Sequence, residues 1–151
     1  MSIQSQKKNM KIIHSLISRD LGYIYGERES GPNGEKKQFH TKSTAFLRAL
    51  SRDLGFKESK VTNNYGGIAV SGEITLMGMW DEGNGLYLQI SQPVTGLQAF
   101  LYRHISHMKD YSGGTNHWLP VSLFADGKYE DMLDMLLKMK ETSKEAIDHA
   151  A

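Results

Sequence analysis

Between Tyr102 and Trp118 the chain places His104, His107 and His117 with Arg103, Lys109, Asp110, Asn116, three aromatic residues and the pair Gly113-Gly114. Core packing alone does not call for such a density of polar groups, and loops that carry function have this character. His104, His107 and Asp110 are spaced three apart. On a helix that spacing would bring two imidazoles and a carboxylate together, with His117 returning across the Gly-Gly turn, as a metal site requires. On a strand His104 and His107 would point to opposite faces, and the spacing is not H-E-x-x-H. The expectation is therefore no metal and no cofactor.

Catalytic arrangements are equally incomplete. His104-Ile105-Ser106 has the form of half a two-histidine phosphoesterase site. His14, His40, His107, His117 and His149 all lack a Ser or Thr two positions on, so no second half exists. No G-x-S-x-G elbow occurs, and Val70-Ser71-Gly72 falls inside an expected strand. Tyr65-Gly66-Gly67 and Ser112-Gly113-Gly114 could bring backbone N–H groups to an anion, but neither has the order of a phosphate-binding loop.

The residues that remain suit binding rather than catalysis. Tyr102, Arg103, His104, His107, Lys109, Asp110, Tyr111, Gly113, Gly114, Asn116, His117 and Trp118 form the expected ligand site. Aromatic planes, a guanidinium, an ammonium and an amide are the groups that grip single-stranded nucleic acid or another polyanion. Tyr102, Trp118 and Leu119 compete for a second role, as core anchors of a loop folded onto a sheet.

Charge supports that reading. The first 60 positions hold 12 Lys and Arg against 6 Asp and Glu, and the other 91 hold 6 against 11, although the net charge is only +1. A basic half could bind a polyanion through its helices; the same asymmetry also suits a protein-interaction or inhibitor module. A histidine-dependent hydrolase is the third reading. The chain has no cysteine, which excludes disulfides, thiolate metal sites and Cys nucleophiles and suits the cytoplasm. No run approaches the apolar length of a membrane span, and Met1 to Lys11 lacks a signal-peptide core, so no membrane partner is expected.

The elements that must position these residues are expected within one domain, 1–151, of α+β class. Met10, Ile13, Leu16, Ile17 and Leu21 predict a helix over about 9–21, capped by Gly22, and Phe46, Leu47, Leu50 and Leu54 a second over 43–54. Their endings, Ser18 to Tyr23 and Ser51 to Phe56, are alike only as helix stops are alike, so no repeat is inferred. Glu27 to Lys37 predicts an exposed loop or hairpin tip. A long hairpin over about 67–91 follows from alternation: Ile68, Val70, Ile74, Leu76, Leu86, Leu88 and Ile90 should share one buried face, with a bulge at a glycine, Gly72 above all. The hairpin needs at least a third antiparallel strand, for which residues 98–105 are in position. Leu97, Phe100, Leu101, His104, Ile105 and Met108, with Thr95 and Gln98 as a capping box, fit a helix nearly as well, so 97–110 stays open between strand and helix. A last helix over 127–149, capped by Asp126 or Gly127, should bury Tyr129, Met132, Leu133, Leu136 and Met139 or Lys140. The methionines are expected as core filler, and Met79 and Trp80, if exposed, would mark a protein contact.

Overall fold

Alternation along the hairpin decides which way the sheet faces. The computed structural model describes residues 2–17, 35–64, 73–91, 100–111 and 114–150. In chain order the elements are α1 (Ile3–Ile17), α2 (Glu35–Leu54), β1 (Glu58–Asn64), β2 (Glu73–Asp81), β3 (Asn84–Ser91), β4 (Phe100–Ile105), β5 (His117–Trp118), α3 (Val121–Ala125) and α4 (Tyr129–Ala150). The five strands form one antiparallel sheet in the order β1-β2-β3-β4-β5. Ile74 pairs with Ile90 and Leu76 with Leu88, and these four and Leu86 are wholly buried. That is the expected face; Ile68, Val70 and Gly72 lie outside the described residues, as do Thr95 and Gln98.

Within the described residues the hairpin ladder shifts at Trp80, between Met79 and Asp81. There the indole turns under the sheet, and its Nε1 donates to the Leu54 carbonyl at the end of α2 (2.8 Å). Trp80 is therefore buried, at 2 % exposure, and Met79, in the cluster on the far face, is buried at 9 %, so the exposure that would have marked a protein contact is not found at either. Gly78 makes room beside them: a Cβ there would sit 2.2 Å from the ring of Phe56, which packs against Trp80.

The open choice at 97–110 resolves as strand β4 over Phe100–Ile105, because β3 has a free edge whose backbone groups need partners. β1 was not expected. Its sequence, ESKVTNN, has a single half-buried apolar position, Val61, and it is a strand because β2 offers it seven register partners.

The helices depart from expectation mainly at their starts. α1 begins at Ile3, ahead of its apolar stripe, and the positions expected beyond Ile17 lie outside the described residues. α2 begins at Glu35, so Glu35 to Lys37 are helical rather than loop, and Phe39 and His40 are buried on it. α3 is a further short helix whose Phe124 stacks on Phe100 at 3.7 Å. Asp126 and Gly127 end α3 instead of capping α4; Gly127 takes φ 62°, a left-handed conformation that closes a helix. α4 buries Tyr129, Met132 and Leu136, with Leu133 and Met139 half-buried beside them.

All four helices share one core with the even-numbered side chains of β2, β3 and β4. Each Leu, Ile or Phe so buried contributes about 1.5–3 kcal/mol relative to exposure. The far face of the sheet carries a smaller cluster, Met77, Met79 and Ile105, packed with Tyr87 and Met108. No described helix is long and apolar enough to cross a membrane.

Candidate functional site

β4 sorts the polar segment onto two faces, because successive strand residues point in opposite directions. Arg103 faces away from the helices and is only 5 % exposed. Its guanidinium lies over the Tyr87 ring at 4.7 Å, donates to the Asp110 carbonyl at 3.0 Å and stands 4.0 Å from the Asp110 carboxylate. Asp110 also accepts from the Ser106 N–H (3.0 Å) and hydroxyl (3.2 Å). Arg103 and Asp110 thus build the turn after β4.

His104 points the other way and its Nε2 donates to the Met139 carbonyl of α4. His107 stands exposed in the turn, where its Nδ1 accepts from the Lys109 N–H at 3.2 Å. Gly114 takes φ 83° and lies against β4, where a Cβ would come within 2.8 Å of the His104 carbonyl. The chain then returns, so that His117 pairs with Tyr102, their rings 5.2 Å apart, and Trp118 pairs with Leu101. Leu119 is a core anchor; Trp118, at 43 % exposure, is not, and Tyr102 is half-buried. Lys109, Tyr111 and Asn116 are exposed, and Gly113 lies outside the described residues. Among the described residues no three His, Asp or Glu side chains gather as metal ligands would.

The charge asymmetry finds part of its use inside the molecule. Lys7 of α1 pairs with Glu130 of α4 at 3.0 Å, in a cleft of about 500 Å³ that also brings Lys8 and Lys11 to Asp126 and Asp131. Basic α1 therefore faces acid. Basic α2 does not: Arg48 and Arg52, one turn apart, line a groove of about 330 Å³ with Ser51, Ser59 and Val61 at the α2–β1 seam. The Ser51 hydroxyl donates to that of Ser59 at 2.7 Å, and the seam is held further along where His40 donates to Asn63 and Asn63 to Thr44. Neither arginine is ion-paired among the described residues. The adjacent Asp53 instead accepts from Tyr129, whose hydroxyl is pushed well above the usual tyrosine range by burial first and by that bond second.

A second groove, of about 610 Å³, lies on the far face of the sheet. Lys60, Lys109, Tyr87 and Tyr111 line it, together with Glu58 and Glu73 and the smaller side chains of Thr62, Thr75 and Met77. Tyr87 donates to Gln89 at 2.8 Å and its pKa is pushed up to about 12, chiefly by burial, then by Glu73, with Arg103 opposing. Ser59 lines both grooves.

No protein-family model matches this chain, and neither does any curated protein or solved structure. The site must be read from its geometry. Of its residues, Lys109 and Tyr111 come from the expected segment, whereas Arg48, Arg52, Ser59, Lys60 and Tyr87 do not. The i,i+4 spacing of Arg48 and Arg52 opposite the apolar stripe of α2 was a usable signal; the contribution of β1 had none, since that strand has no alternation to announce it.

Proposed function

We propose that this chain is a small non-catalytic binding protein for nucleic acid or a similar polyanion, acting through basic α2. The observation that carries the reading is the pair Arg48 and Arg52, which flank two serine hydroxyls in a groove and have no carboxylate partner among the described residues. Lys37 falls on the same stripe of the helix at 3.6 residues per turn. A guanidinium offers a planar fork of donors to a phosphate, and neutralising each phosphate releases counterions, which supplies most sequence-independent affinity. Arg103, the guanidinium first expected to do this, is occupied by Tyr87 and Asp110.

Titrating labelled oligonucleotides by fluorescence anisotropy across a salt series tests the proposal. Binding should weaken as salt rises, and the double variant Arg48→Ala/Arg52→Ala should flatten the logarithmic salt slope by roughly 1.5 to 2. Absence of binding at low salt would overturn it.

The protein-interaction reading is favoured by a different surface, the exposed side of α4 with Asp134 and Glu141. The hydrolase reading gains nothing from histidines so dispersed, His104 on a helix carbonyl and His107 in an exposed turn.

A further inference from the structure

We infer that the nucleic acid is single-stranded, its phosphates held at the α2–β1 seam and its bases laid on the far face of the sheet. The inference rests on the polyanion reading and adds the form of the ligand.

Two observations join the grooves into one track. Ser59 on edge strand β1 lines both, so the seam and the far-face groove lie on either side of one exposed strand edge. The chemistry changes on crossing that edge. On the seam side stand Arg48, Arg52 and two hydroxyls, the donors a phosphodiester needs. Beyond the edge stand the rings of Tyr87 and Tyr111 with the ammonium groups of Lys60 and Lys109.

Tyr111 is 70 % exposed, so it presents a ring for stacking at no cost to the core. Tyr87 is fixed by the guanidinium of Arg103 over its ring and by its bond to Gln89. Stacking on such rings is sequence-tolerant, because every base has a π-face, and it adds to the phosphate contacts made at the seam.

Glu58 and Glu73 sharpen the assignment. They offset the charges of Lys60 and Lys109, so the far groove attracts phosphates less than the seam does, and carboxylates accept hydrogen bonds from exocyclic amino groups of bases. A continuous duplex offers base edges and phosphates but keeps its ring faces stacked inside, so it has no base face to lay on Tyr111. An unpaired strand crossing the β1 edge satisfies both sides of it.

The test uses the full chain, a labelled single strand, the same strand annealed to its complement, and inorganic polyphosphate. Affinity for the single strand should exceed that for the duplex. Tyr111→Ala should lower single-strand affinity roughly 5- to 150-fold, the loss of one stacked base, while Tyr111→Phe retains it and polyphosphate binding is unchanged in both. Arg48→Ala/Arg52→Ala should weaken all three probes. Duplex bound as tightly as the single strand would overturn the inference, and so would Tyr111→Ala weakening polyphosphate as much as the single strand; both leave the polyanion reading standing. Failure of all three probes to bind would overturn that reading as well, and capture of a protein segment by the far groove would then replace it.

Discussion

Asp110 clasps Arg103 twice, offering its backbone carbonyl at 3.0 Å and its carboxylate at 4.0 Å, and the same carboxylate ties down Ser106. Side chains seven residues apart thereby close a turn, and a segment rich in binding-type residues spends its strongest charges on its own architecture. Both are largely buried, at 5 % and 14 % exposure, so neither ion can lose its partner cheaply.

Asp110→Ala should therefore destabilise the fold by about 1–3 kcal/mol, measured by urea unfolding, because the Ser106 N–H and hydroxyl lose their acceptor and Arg103 loses the nearby carboxylate while keeping the backbone carbonyl. Lys109→Ala, next in the chain but exposed, should leave stability within about 0.5 kcal/mol of the parent. An equal cost for the two would contradict the assignment of Asp110 to the turn.

Gly78→Ala should cost about 1–3 kcal/mol through overpacking, since its Cβ would enter the Phe56 ring at 2.2 Å. Adding Phe56→Leu, which removes the ring atoms it meets, should recover part of that loss. If the double variant is no more stable than Gly78→Ala, the ring contact is not the cause.

Stability should fall in alkali. Tyr87 titrates near 12 in the folded chain against 10 when unfolded, so the unfolded state loses its proton first. Its contribution is complete below pH 10 and is lost as pH rises toward 12, and Tyr129, shifted in the same direction, adds to the decline. Denaturation midpoints measured across this range should drop, and Tyr87→Phe should make the drop shallower.

Two sheet residues fasten α4 at its middle, where its second half begins. Asn84 Nδ2 donates to the Lys140 carbonyl at 3.1 Å and His104 to that of Met139. Asn84→Ala and His104→Ala should each cost about 1 kcal/mol and speed amide hydrogen exchange in that half of the helix more than in its first turns. Uniform acceleration along α4 would argue against a local tie.

Periodicity was enough to orient the hairpin and α4, because a repeat of two or of 3.6 residues specifies a face without reference to any neighbour. Ile74, Leu76, Leu86, Leu88 and Ile90 are buried for that reason, and so are Tyr129, Met132 and Leu136. Partners decided the rest. Phe100 to Ile105 carries helix and strand patterns at once, and the unpaired edge of β3 selects the strand. Glu58 to Asn64 carries neither, and becomes a strand through its ladder with β2. That choice sends Arg103 and His104 to opposite faces, dividing a segment that looks continuous in the sequence. The β1 ladder also brings Ser59 beside Ser51 of α2, in the groove that Arg48 and Arg52 line. Local residue types specify what each side chain can do; which of them act together depends on strand pairing, a long-range property that local periodicity does not encode.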